Sequence, residues 1–388
     1  MARSNASDKS ELKDIFSKFI NENEFTEIGK VLGKGAFGEV RDVKFKNKTM
    51  AGKITKRDDD EISEEEKYAI DLRGQNIIKI NKIYTKRING STYNLIIMEK
   101  AILRDLGKLN EFYHKHNLLK LIFEPFDEKA GDNLLRFYSR QIVSALETLD
   151  RNYYIHYDIK PENLLITINL IIKLTDFSVL RQVKDGVKTT RIPGGTPGYL
   201  TPEYYVDREV TCDNARKQDY FALGSTLFLL KYGEQLLKYK KYDDHKMIAD
   251  RIIDILIKRN EFIKSNKLTD KDFIKFLLSL ISFRPEDRPS FEQIYRDKWL
   301  NKDLEQLNAT FTTFENDEEK LIMELQKKDF LIKKEKEINE ENEEKNNLNI
   351  KDKNKNELKN NFVVKNEIKK EFNKSYKFRF KKKKININ

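Results

Sequence analysis

The stretch HYDIKPENLL, His156 to Leu165, brings Asp158, Lys160 and Asn163 together within a few residues of Pro161. Before it, Leu135, Tyr138, Ile142, Ala145, Leu146 and Leu149 recur at three- and four-residue steps, the period of an amphipathic helix. After it, Leu164 to Ile168 reads as a short strand, so the polar residues occupy a loop between helix and strand. A second β-like run, Ile171 to Leu174, leads into Asp176-Phe177-Ser178. Two adjacent loops therefore offer a carboxylate, an ammonium, an amide and a second carboxylate. Asp158 can accept a hydroxyl proton, and Lys160 can neutralise charge on a transferred group. The oxygens of Asn163 and Asp176 suit Mg²⁺, a hard cation that prefers oxygen ligands.

Working outward, Gly33-Lys34-Gly35-Ala36-Phe37-Gly38-Glu39-Val40 is a G-x-G-x-x-G-x-V stretch. Its glycines allow a tight turn whose backbone N–H groups can approach phosphates. It lies between strand-like runs, which argues against a dinucleotide fingerprint and a Walker A loop, both of which open a helix. Lys53 follows on the next strand, alternating with inward-facing Ala51. An inward lysine requires an anionic partner, and Glu65 is the candidate, with Glu64 and Glu66 beside it on the helix expected over Glu61 to Leu72. From about Phe25 to Tyr93 short β-rich runs alternate with turn signals such as Asn89-Gly90, implying a small sheet with one helix. After Glu99 helical periodicity dominates to about Trp299.

Taken in order, these motifs resemble the eukaryotic-type protein kinases over about residues 25 to 300. The likeness continues through GGTPGYLTPE (Gly194 to Glu203), the run Asp219 to Gly224, and Arg288 in RPEDRPS, which resembles the family's partner for the glutamate at Glu203. It implies an α+β bilobal fold, with a β-rich N-lobe carrying one main helix at about 25–99 and a larger α-helical C-lobe at about 100–300. It implies ATP and Mg²⁺, with Gly33, Gly35 and Gly38 over the phosphates and Lys53, held by Glu65, on the α and β phosphates. Val40, Ala51 and Leu165 would sandwich adenine, Met98 would guard the back of the pocket, and the backbone of Glu99 to Ala101 would bond the base. Asp158 would orient and deprotonate the acceptor, Lys160 would meet the γ-phosphate, and Asn163 and Asp176 would hold the metal. Lys160 after Asp158, with Thr196 in GTPGY, is the serine/threonine pattern, so the expected partners are ATP and protein substrates.

The sequence departs from that family in places. Tyr157 stands where the catalytic loop usually has arginine, and a phenol cannot pair ionically with a phosphorylated activation segment. Phosphorylation at Thr189, Thr190 or Thr196 is therefore not expected to be needed for basal activity. Ser178 replaces the metal motif's glycine, which should make backbone flipping there harder. Thr201-Pro202-Glu203 is a milder change. Asn110 to Asp132, with His114 and His116, reads as a surface insertion. A rival reading is a pseudokinase scaffold that keeps the fold without phosphoryl transfer; the retained Lys53, Asp158, Asn163 and Asp176 argue for activity.

Composition sets the remaining bounds. In 388 residues the net charge is +11, but residues 351 to 388 hold 14 Lys or Arg against 4 Asp or Glu, a balance of +10. Basicity belongs to the C-terminus, so bulk charge is no argument for nucleic-acid binding by the whole chain. Cys212 is the only cysteine, which excludes an intramolecular disulfide and a cysteine-based zinc site and fits a reducing interior, cytoplasmic or nuclear. No apolar run suggests a leader or a membrane span. Residues 1–24 read as an N-terminal extension and 301–388 as a charged tail, partly helical or disordered. Its YKFRFKKKKI segment, Tyr376 to Ile385, suits RNA, an anionic membrane surface or the import machinery, or simply keeps the tail soluble.

Overall fold

The computed structural model describes residues 13–20, 24–35, 38–57, 69–101, 103–108, 128–167, 171–183, 189–206, 208–238, 245–265 and 270–302. Five antiparallel strands come first: β1 (Phe25–Gly35), β2 (Gly38–Phe45), β3 (Lys48–Arg57), β4 (Ile80–Ile88) and β5 (Ser91–Met98). Their spatial order is β1-β2-β3-β5-β4. Two hairpins carry the left-handed residue pairs such tight turns require, Lys46 (φ 48°) with Asn47 (φ 62°), and Asn89 (φ 53°) with Gly90 (φ 83°). The expected Asn-Gly turn is thus present.

Strand alternation gives this sheet two distinct faces. Val40, Asp42, Ala51, Lys53, Ile96 and Met98 share one, since the register sets Val40 and Ile96 opposite Lys53, and Asp42 and Met98 opposite Ala51. The other carries Val43, Ile54, Tyr93, Leu95 and Ile97, all buried. The second face is covered by part of the segment read as an N-terminal extension. Residues 13–17 are helical, and Ile15, Phe16 and Phe19 join the cluster on that face, Phe16 with no exposure at all. Arg41 lies over the Phe16 ring at 5.8 Å. Next to this plug, Glu24 accepts from Tyr84 Oη at 2.6 Å and pairs with Lys82 and Lys46. The Lys82 hydrogen bond above all holds the Glu24 carboxyl down to about 2.

The helical lobe begins with α1 (Glu128–Arg151). Its six periodic apolar residues, Leu135 through Leu149, are all buried. Strands β6 (Leu103–Asp105), β8 (Leu164–Ile166) and β9 (Ile172–Leu174) form a small sheet, and β7 (Tyr154–Ile155) pairs with β10 (Arg181–Gln182). Strand β11 (Thr189–Arg191) pairs antiparallel with β12 (Glu209–Thr211). Helices α2 (Pro202–Val206), α3 (Cys212–Ala215), α4 (Lys217–Tyr232), α5 (His245–Ser265), α6 (Lys271–Leu280) and α7 (Phe291–Tyr295) follow. Helix α4 is buried continuously from Gln218 to Phe228, as a helix apolar on every side should be. Asp270 caps α6, and Ser290 with Gln293 forms a capping box on α7. Trp299 closes the lobe base, its ring 4.8 Å from Phe273 and 5.5 Å from Phe276. This is the bilobal kinase architecture expected from the motifs. Glu65, nearly all of the helix expected over Glu61 to Leu72, the insertion up to 127 and the tail beyond 302 lie outside the described residues.

Phe16 leaves no water-exposed surface and sits with Ile15 and Phe19 in the plug that covers this sheet face. Phe16→Ala should therefore destabilise the fold by about 3–5 kcal/mol, read as a lowered midpoint in urea denaturation with an unchanged slope.

Candidate active site

The loop after β7 is held from below by a single carboxylate. Asp219, the third residue of α4, is 3% exposed and accepts the backbone N–H of His156 at 2.7 Å and of Tyr157 at 2.8 Å. Burial pushes its carboxyl up to about 7, opposed by those two amides. The clamp lets Tyr157 keep a left-handed backbone, φ 62°, which a non-glycine residue adopts only when its surroundings enforce it. His156 is fully buried. Its Nδ1 accepts from the Asp158 amide at 3.3 Å and its Nε2 donates to the Thr175 carbonyl at 3.1 Å, an arrangement of the neutral Nε2–H tautomer. Burial holds its pKa below the usual imidazole value, in keeping with that form.

These constraints aim Asp158. One carboxylate oxygen, Oδ1, accepts the Thr196 amide at 2.9 Å; the other, Oδ2, accepts Lys160 Nζ at 2.6 Å and Asn163 Nδ2 at 3.0 Å. Lys160 Nζ also donates to Thr196 Oγ1 at 2.5 Å, tying the loop to the GTPGY segment. Asn163 Nδ2 is spent on Asp158, including its carbonyl at 2.8 Å, which turns Asn163 Oδ1 elsewhere. Gly195 explains how the segment comes so close: at φ 150°, a Cβ there would stand 2.5 Å from the Tyr157 carbonyl oxygen.

Lys53 meets Asp176, Nζ to Oδ1 at 2.7 Å. Burial would raise the Asp176 carboxyl, but the Lys53 ammonium, with hydrogen bonds from Lys53 and Ser178, brings it below the ordinary value. Asp176 adopts φ 67° while Ser178, in the glycine position, has no positive φ. Phe177 is buried, its ring edge-on to His156 at 5.5 Å. On β1 and β2, Gly33 pairs with Val40 and Gly35 with Gly38; a Cβ on Gly38, at φ 147°, would fall 1.8 Å from the Ile54 carbonyl oxygen. Val40 and Leu165 are half-buried and Ala51 and Met98 buried. Behind Met98 lies a small cavity lined also by Ile78, Ile80, Ile96 and Phe177. Past Met98, the Glu99 carboxylate binds the Lys79 amide at 2.7 Å and Lys173 Nζ at 2.9 Å, and Ala101 is half-buried.

Tyr157 completes the floor differently from an arginine. Its ring packs with Ile155, Ile192, Val210 and Ala215, and its hydroxyl faces Thr190 without a well-formed hydrogen bond. Burial, then the charge of Asp219, pushes the phenol well above its ordinary pKa, so it stays neutral. Arg288, 2% exposed, clasps Glu203 with two bonds of 2.8 and 2.6 Å, the pairing the motif reading anticipated. The parts missed in sequence were Asp219 as loop clamp and Gly195 as contact point. An acidic residue opening an otherwise apolar helix was the available signal for the first.

Residues 26–300 match the protein kinase domain, and the chain belongs to that family. Curated relatives include the serine/threonine-protein kinase MRCK alpha of Mus musculus, 31% identical over 54% of this chain and 12% of that protein. Serine/threonine-protein kinase sgk-1 of Caenorhabditis elegans is 30% identical over 70% of this chain and 57% of that protein. Aurora kinase of Saccharomyces cerevisiae is 29% identical over 71% and 68%. The chain thus spans about one-eighth of the length of the MRCK relatives it matches.

Because the Asp219 carboxyl titrates near 7 when folded, against 3.8 unfolded, its raised pKa adds stability that is complete below about pH 4. That increment is lost as pH rises through about 7. Asp219→Asn cannot ionise, so its denaturation midpoint should vary less between pH 4 and 7 than the wild type's. Parallel curves would contradict the assignment.

Proposed function

We propose that the chain is a serine/threonine protein kinase that transfers the γ-phosphoryl group of ATP to hydroxyls of protein substrates inside the cell. The carrying observation is the Asp158 carboxylate, fixed by the Thr196 amide, Lys160 and Asn163. A carboxylate has lone-pair sites for about four partners, so room remains for a substrate hydroxyl. Asp158 then orients that hydroxyl and takes its proton, while Lys160, already beside it, meets charge on the transferred group. Lys53 supplies a second cation for the nucleotide phosphates, and the glycine-rich strands cover them with backbone N–H groups. Val40, Ala51 and Leu165 bound the adenine slot, and the backbone of Glu99 to Ala101 bonds the base.

Asp176, kept ionised by Lys53, and Oδ1 of Asn163, whose Nδ2 is spent on Asp158, form a donor set that fits Mg²⁺. When bound, the metal neutralises phosphate charge. The acceleration comes from positioning and electrostatics rather than from covalent chemistry by the protein.

The decisive measurement is transfer of radiolabelled γ-phosphate from Mg·ATP to a generic basic protein. Asp158→Asn should lower the rate by roughly 10²–10⁴-fold, and equal labelling would overturn the assignment. Loss of labelling in wild type with nucleotide binding intact would move the chain to the scaffold reading.

Control of this site should not depend on phosphorylation of the activation segment. Its ends are anchored by the β7–β10 and β11–β12 ladders, and Tyr157 packs beneath it as an apolar residue. Unphosphorylated protein carrying Thr189→Val, at an exposed position, should retain transfer within about threefold of wild type, since surface substitutions away from buried networks have small effects. Turnover only after phosphorylation of the wild type would contradict this.

A further inference from the structure

One ion pair on the active-site face of the sheet has no part in the transfer chemistry. The row Asp42, Ala51, Met98 lies beside the row Val40, Lys53, Ile96 on the same face. Lys100, two residues beyond Met98, sends its Nζ to within 2.7 Å of Asp42 Oδ1. Since β3 lies between β2 and β5, this contact spans the central strand and joins the phosphate-covering strand to the connection leaving β5. The two side chains keep only 21% and 15% of their exposure.

Strand β1 is shaped around the same place. Its pairing with β2 shifts register between Ile28 and Val31 and again before Gly33. At Gly29, a Cβ would come 2.8 Å from Asp42 Cβ, so the missing side chain lets β1 lie close against this residue. The neighbouring charge on β2, Arg41, points to the opposite face, where it bonds Glu39 at 2.5 Å. Lys100 is therefore the cation that Asp42 meets on its own face.

We propose that the Asp42–Lys100 pair is a strap that holds β1 and β2 down over the nucleotide slot and so sets nucleotide affinity and residence time. Both are positioning residues. The proposal rests on the nucleotide-site reading given above. A partly dehydrated ion pair is screened less than a surface one, and removing either partner leaves the other half-buried and uncompensated. Without the strap the covering strands spend less time closed, and apparent affinity falls in proportion to the closed fraction.

The test uses the full chain with Mg²⁺ and an ATP analogue carrying a fluorophore on its ribose, followed by stopped flow. Asp42→Asn and Lys100→Met should each raise the dissociation constant roughly 5- to 10-fold, chiefly through faster dissociation. For Asp42→Asn, which lies outside the base-binding connection, turnover at saturating ATP should stay within about twofold. The exchanged pair, Asp42→Lys with Lys100→Asp, should return affinity to within about twofold of wild type, a rescue that mere damage to the fold would not show. Hydrogen exchange of β1 and β2 amides in nucleotide-free protein should be faster in each single variant and restored in the exchanged pair. Unchanged affinity in both single variants, or an exchanged pair weaker than either, would overturn the strap. Wild type that fails to bind the analogue, while β1 and β2 exchange is still accelerated in Asp42→Asn, would remove the nucleotide-site reading and leave the strap standing.

Discussion

The buried carboxylate of Asp219 is the constraint on which the active site hangs. It reaches from the first turn of α4, inside the helical lobe, to the consecutive amides of His156 and Tyr157. Those two amides would otherwise be buried donors without acceptors, a costly state. With them fixed, Tyr157 holds its left-handed backbone, and Asp158 leaves the turn pointing at Thr196, Lys160 and Asn163. Positioning accounts for much of the catalysis in phosphoryl transfer. A clamp three residues inside a buried helix therefore fixes the setting of the Asp158 carboxylate, which it never touches.

Tyr157 changes what the site depends on. An arginine there would place a fixed positive charge under the activation segment and would need an anion to balance it. The phenol instead adds apolar area to a cluster with Ile155, Ile192, Val210 and Ala215, and stays neutral through burial. Among its described residues the segment is held by packing, by two short backbone ladders and by the Lys160–Thr196 contact. None of these requires an added charge. Ser178 acts in the same direction, giving the Asp176 carboxylate a hydrogen bond that glycine could not supply.

The small lobe is likewise organised by its two sheet faces. One is sealed by Ile15, Phe16 and Phe19 from ahead of the first strand, which pack in one cluster with Val43, Ile54, Leu95 and Ile97. The other carries the charged residues Lys53, Asp42 and, just past β5, Lys100, each compensated across strands or across lobes. Apolar closure on one face lets the other carry charge without the sheet losing its core.

Much of this was legible in the sequence because it depends on short-range pattern. The helical period of α1, the Asn89-Gly90 turn, the glycine-rich hairpin and the grouping of Asp158, Lys160 and Asn163 each sit within a few residues and obey local rules of backbone geometry. The bilobal class followed from the family that those motifs, taken in order, resemble. Partnerships were another matter. Lys53 was known to need an anion, but nothing local points to Asp176, which strand register and the docking of two lobes bring to 2.7 Å. Ile15, Phe16 and Phe19 are scattered among charges, and only the empty sheet face gives them a place. Lys100, just past β5, and Asp42 on β2 meet because β3 alone separates those two strands. Sequence determined which chemistries this chain carries and which local shapes hold them. Tertiary structure decided which charges neutralise one another, because an ion pair depends on distance in space, set by register and packing, and not on distance along the chain.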